Sequence, residues 1–282
     1  MAATTDSISS SRPAARSASG WSSVLRFGAS VVLFAALITF LALPWVDLSW
    51  WKIFRRSVSI ASALSLWLCI TRLEHRSIRS YGFAAGGAGK REWWFGLLVG
   101  GAALAFMLGI GLATGICRIS ITPDRVKLWR TLLGFLPAAA LVGVLEELVF
   151  RGYLLQHLLT WSRAAAVLLT SALYAVVHLK SPEWTFHTSL ELGGLFLFGV
   201  VLSFSYLRTR QLYLAAGLHA ALAYGARVNK LLIEFQDPSM SWLSGTSRLV
   251  NGVFGWFTLL FIGGLIWWWT RRVEGEVKHG QA

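Results

Sequence analysis

The chain has 282 residues, 55% of them hydrophobic and only 14% charged, with a formal net charge of +13 and a mean hydropathy of +0.59. A soluble globular domain carries nearer a quarter charged residues; here the apolar residues fall in long blocks, so the composition excludes that class and predicts an all-α, polytopic membrane bundle of about eight spans. The basic balance does not mark a nucleic-acid binder. The 26 Lys and Arg lie mainly between apolar blocks, where the positive-inside tendency and anionic lipid account for them, and no basic stripe alternates with base-stacking aromatics.

Residues 1–24 are rich in Ser, Ala and Arg and read as a disordered tail. The first apolar block, about 25–46, is too long for a signal-peptide core and reads as an uncleaved first span. Further spans are expected at about 57–71, 93–117, 131–158, 164–179, 189–207, 211–233 and 253–270, the second and fifth being short for a crossing of about 20 residues. Residues 271–282 read as a C-terminal tail. Trp267, Trp268 and Trp269, followed by Arg271 and Arg272, suit a span reaching the water interface. Cys69 and Cys117 fall in or beside apolar blocks and form no CxxC pair, so they carry no redox information. No internal repeat is evident. With the N-terminus inside, 14 of the 26 Lys and Arg fall on the inner side and 11 on the outer, Arg151 being within a span; this bias favours an inner N-terminus.

One stretch breaks the apolar pattern. GVLEELVFRGYLL, residues 143–155, carries Glu146, Glu147 and Arg151. Backbone groups in lipid are satisfied internally, so the span is helical. Glu147 and Arg151 are then four apart, acid before base, in the favoured order for an ion pair on one face. Glu146 points about 100° away. Left unpaired it would cost at least about 2.5 kcal/mol, so it is expected to face a polar cavity or a partner on another span. Two partners offer themselves. SALYAVVHLK places Tyr174 and His178 four apart in the fifth span, and YLAAGLHAALAYG places His219 in the seventh. Intramembrane ionisable groups usually face one another across a bundle and are functional candidates.

A glutamate beside a histidine activates water: the carboxylate takes the proton and the imidazole orients the same molecule. A second imidazole or an amide donates to the oxyanion that develops on an attacked carbonyl. That equipment suffices for peptide hydrolysis without a covalent nucleophile. Glu146, His178 and His219 would also form an acceptable zinc set, but the H-E-x-x-H helix pair is absent, and no obligatory metal or other cofactor is expected.

These residues carry a family resemblance. Glu146-Glu147-x-x-x-Arg151 resembles the EExxxR motif of the CAAX-protease and bacteriocin-processing (CPBP, or Abi) intramembrane protease family, which includes the Rce1-type prenyl-protein proteases. YAVVH at 174–178 resembles its FxxxH motif, with Tyr174 as the aromatic. GLHAALA at 217–223 is similar to its HxxxN motif in relaxed form, and RSIRSYGFAAGG to its amphipathic connector. The likeness spans about 76–270, with its core at 130–225. EExxxR alone is a weak pattern; three motifs in order, each in an apolar span, are specific. The resemblance implies N-terminal helices and connectors over 25–129 and a catalytic membrane core over 130–270. It implies Glu146 as general base, His178 holding the water with it, His219 stabilising the oxyanion, and Glu147, Arg151 and Tyr174 ordering the site. It departs at Ala223, where many members have Asn; Ala supplies no donor. The expected activity is cleavage of a membrane-associated peptide or protein beside the bilayer, with no nucleic-acid partner, in a bacterial inner (plasma) membrane. A proton-coupled transporter is the alternative from another class, but the inverted repeats it would show are not seen. A catalytically silent membrane scaffold is the other, and Ala223 is its one sign.

Overall fold

The computed structural model describes residues 12–84, 87–180, 183–236, 238–245 and 251–279. Eight long helices dominate these residues: α1 (Arg12–Ala42), α2 (Trp50–Trp67, extended by a π-helical Leu68–Leu73), α3 (Gly87–Ala113), α4 (Arg125–Glu147, continued by a π-helical Leu148–Leu155 and the turn Gln156–Leu158), α5 (Arg163–Val177), α6 (Phe186–Thr209), α7 (Tyr213–Leu232) and α8 (Val253–His279). Among the described residues six segments are long and apolar enough to cross a membrane: Gly20–Ala42, Trp50–Leu73, Gly87–Ala113, Arg125–Leu158, Phe186–Thr209 and Val253–Val273. The chain is an all-α, multi-pass integral membrane protein. α5, with 15 residues, falls short in length; α7, with 20, is long enough, but His219, Arg227, Asn229 and Lys230 dilute its hydropathy.

Several boundaries differ from the expectation. Residues 12–24, read as part of a disordered tail, are helical, because Ser and Ala extend a helix once the apolar block after them anchors it; residues 1–11 lie outside the described residues. The second span is full length, since α2 opens at Trp50 and carries Lys52, Arg55 and Arg56 in its first turns. α8 runs on through 271–279, read as tail; residues 280–282 lie outside the described ones. A short antiparallel ribbon was not foreseen: β1 (Cys117–Ile119) pairs with β2 (Ile233–Phe235), Arg118 opposite Glu234. It ties the end of α3 to the end of α7, and the exposed Arg118–Glu234 ion pair closes at 2.8 Å.

Side-chain caps fix three helix starts. Asp124 accepts the Lys127 N–H at 2.8 Å before α4; Ser162 accepts the Ala165 N–H before α5; Thr185 and Thr188 form a capping box before α6. These satisfy backbone donors the helix cannot. Small residues set how closely the helices approach, as expected where packing rather than water drives association. α7 lies between α3 and α4 with almost no gap. A Cβ on Gly96 of α3 would sit 2.3 Å from the Leu214 carbonyl oxygen; one on Gly217 of α7 would sit 2.3 Å from that of Trp93. On the α4 side, a Cβ on Gly143 would lie 2.7 Å from the Ala216 carbonyl oxygen, and the Tyr224 hydroxyl donates to the Leu132 carbonyl at 2.9 Å. α6 approaches α5 the same way, Gly199 against Ser171. These contacts bring one polar turn of α4 against α5, α6 and α7.

Candidate active site

That turn begins where α4 changes character. After Glu147 the helix widens into the π-helical stretch 148–155, every residue of which is buried. Such widened turns recur at functional positions. Glu147 and Arg151 are both fully buried, and the Arg151 Nη1 donates to Glu147 Oε1 at 2.9 Å. The pair is not isolated. Arg151 Nη2 donates to the Gly199 carbonyl at 2.9 Å and Nε reaches Ser203 Oγ at 3.4 Å, both on α6. Its guanidinium lies 4.9 Å from the centre of the Tyr174 ring. A buried arginine with a carboxylate, a carbonyl, a hydroxyl and a π-face around it is well compensated.

The same Glu147 oxygen receives a second donor, His219 Nδ1 at 2.8 Å. His178 Nδ1 stands 2.7 Å from the Tyr174 carbonyl oxygen. A carbonyl oxygen only accepts, and the Glu147 carboxylate accepts too, so both rings carry their Nδ1 proton on a fixed partner. Each ring then presents Nε2 to the interior. Both nitrogens face Glu146 Oε2, His178 Nε2 at 3.4 Å and His219 Nε2 at 3.6 Å. These separations exceed a good hydrogen bond and are too short to hold a water between the two atoms, and Glu146 Oε2 is buried without a hydrogen-bond partner among the described residues. The Tyr174 hydroxyl stands 3.5 Å from His219 Nε2, and its ring, 2% exposed, packs against those of Phe150, His178 and Phe198.

Glu146 is the one of the two glutamates that reaches open space. Its side chain is 31% exposed, against none of Glu147. It opens into a cavity of about 170 Å³ whose wall includes Tyr174, His178 and His219 together with Val142, Ala223 and Asn251. The sequence-predicted residues are thus gathered in two layers. Glu146, His178 and His219 border the cavity; Glu147 and Arg151 lie behind His219, and Tyr174 spans both. Among the described residues no group of three or more His, Cys, Asp or Glu side chains is arranged to hold a metal ion. Two polar residues escaped the reading. Asn251, 8% exposed, comes from the segment before α8 and belongs to no motif. Glu92 of α3, also 8% exposed with one carboxyl oxygen unpartnered, sits inside a span that the sequence placed one residue later.

No curated protein and no solved structure matches the chain. Residues 128–224, about a third of the chain, match the family described as type II CAAX prenyl endopeptidase, Rce1-like; the matched stretch runs from α4 into α7 and carries all three motifs.

Proposed function

We propose that the chain is an intramembrane endopeptidase that hydrolyses a peptide bond of a membrane-associated substrate with a water activated by Glu146. The observation that carries this reading is the convergence of Glu146 Oε2 with the Nε2 atoms of His178 and His219 on one cavity, within the family-matched segment. A water in the cavity beside Glu146 and His178 finds an acceptor on each, because the Nδ1 proton of His178 is held by the Tyr174 carbonyl and the neutral ring offers a lone pair at Nε2. Both water protons are then engaged and an oxygen lone pair is left to face the substrate. Glu146 takes one proton as the C–O bond forms and returns it to the amine nitrogen as the C–N bond breaks. Glu147 and Arg151 hold His219 in one tautomer, as carboxylate partners of catalytic imidazoles do.

The reaction needs no metal in this account. The family's description names prenylated CAAX substrates, so the probe is a farnesylated C-terminal peptide beside its unmodified counterpart, both presented in vesicles. Purified protein cleaves at least one of them, and Glu146→Gln abolishes the cleavage. Wild type and Glu146→Gln cells compared by the termini of their membrane peptides reveal the natural substrate. Wild-type protein that leaves both probes intact, with identical peptide termini in the two strains, would instead fit a silent scaffold.

A further inference from the structure

Resting on the hydrolytic reading above, we infer that the side-chain amide of Asn251 donates to the oxyanion of the tetrahedral intermediate. Water attack places negative charge on the substrate carbonyl oxygen, and a fixed donor aimed at that charge is among the largest contributions an enzyme makes. The cavity wall supplies few candidates. His178 and His219 both have Nδ1 committed, to the Tyr174 carbonyl and to Glu147, so Nε2 of either ring donates to an oxyanion only while that ring is protonated. The Tyr174 hydroxyl is directed at His219 Nε2. Ala223, one turn beyond His219 on the same face of α7, borders the cavity with a methyl group. Asn251 borders the same cavity and is 8% exposed. It carries the one amide side chain of that wall among the described residues, and an amide N–H₂ donates in every protonation state of its neighbours.

Asn251 is delivered from outside the matched segment, which ends at residue 224. It precedes α8, whose first turns pack on α6: a Cβ on Gly193 would meet the Trp256 ring at 2.6 Å. The donor is therefore brought to the site by the last helix rather than by the helix that carries His219. A chain with Ala223 keeps a polar donor in its cavity by this route.

The experiment compares Asn251→Leu, which keeps the shape and removes the donor, with Asn251→Leu/Ala223→Asn, which offers an amide from α7 instead. Both are assayed on the farnesylated peptide in vesicles after a melting curve in detergent. A phosphonamidate peptide, whose tetrahedral oxygen stands in for the oxyanion, gives a second readout by binding alone. Asn251→Leu lowers kcat by about 10²–10³-fold with KM changed far less, and it weakens phosphonamidate binding by a similar factor while leaving product-peptide binding unaltered. The double variant recovers part of both losses. Glu146-dependent cleavage within threefold of wild type in Asn251→Leu, or equal loss of phosphonamidate and product binding, overturns the assignment and leaves the hydrolytic reading standing. Absence of any Glu146-dependent cleavage in wild type overturns that reading and this inference with it.

Discussion

Glu147→Gln tests the division of labour between the two glutamates. The Glu147 carboxylate accepts from Arg151 Nη1 at 2.9 Å and from His219 Nδ1 at 2.8 Å, and neither it nor the guanidinium is exposed. Gln keeps the volume and one acceptor oxygen but removes the charge that compensates Arg151. Breaking a buried pair from one side costs about 3–5 kcal/mol. Arg151 keeps the Gly199 carbonyl and the Ser203 hydroxyl, so the expected loss lies at the low end, about 3 kcal/mol. At roughly 2–4 °C per kcal/mol for a chain of this size, Tm falls by about 6–12 °C. Glu146→Gln makes the control. Its contacts to His178 and His219 are long, 3.4 and 3.6 Å, so its Tm stays within about 2 °C of wild type. The assay is thermal unfolding in one detergent, followed by tryptophan fluorescence. Equal melting of the two variants would refute the reasoning. So would a Glu146→Gln protein that melts lower than Glu147→Gln.

Three further outcomes follow from the structure. Gly217→Ala drives a methyl onto the Trp93 carbonyl and destabilises by about 1–3 kcal/mol, whereas Gly101→Ala, which meets nothing within 4 Å, is neutral or slightly stabilising; melting curves of both check this. Glu74, just beyond α2, is pushed up by burial, but the Tyr81 and Tyr153 hydroxyls and His157 outweigh that and hold it below the ordinary glutamate range. Its contribution is therefore complete above about pH 4.3 and is lost as pH falls through the lower folded value. Glu74→Gln melts below wild type at pH 7, and the gap closes on acidification; a constant gap would contradict the assignment. Stripping metals with a strong chelator, verified by mass spectrometry, leaves peptide cleavage unchanged, while loss on stripping with recovery at stoichiometric zinc would recast Glu146, His178 and His219 as ligands.

The intramembrane charges made most of the site legible. Glu146, Glu147, Arg151, His178 and His219 stood out because each is costly in hydrocarbon, and helical spacing alone paired Glu147 with Arg151. What spacing could not reveal was the second use of Glu147, as acceptor for His219, because that depends on how deep α7 sits against α4. The glycines at 96, 143 and 217 set that depth, and a glycine in an apolar run reads the same whether or not a neighbour approaches it. Asn251 was invisible for another reason: it lies outside the apolar blocks, where a polar residue is unremarkable. The β1–β2 ribbon is only three residues per strand, too short for a period to show. The start of α1 was misplaced because Ser and Ala suit both a tail and a helix.

The shortness of α5 has a consequence for the lipid around it. Its 15 residues rise about 22 Å, against a hydrocarbon thickness of about 30 Å. Leu168, Leu169, Leu173, Val176 and Val177 are exposed along it, so its outer face meets acyl chains directly. Hydrophobic mismatch of this kind is relieved by thinning of the adjacent leaflet. His178 closes the C-terminal end of the short helix. Thinning at that end would draw the headgroup layer, and the water it holds, toward Glu146 from the side of the bundle. On the hydrolytic reading, a helix about one and a half turns short of a full crossing would supply water to the site by deforming the membrane rather than by piercing it.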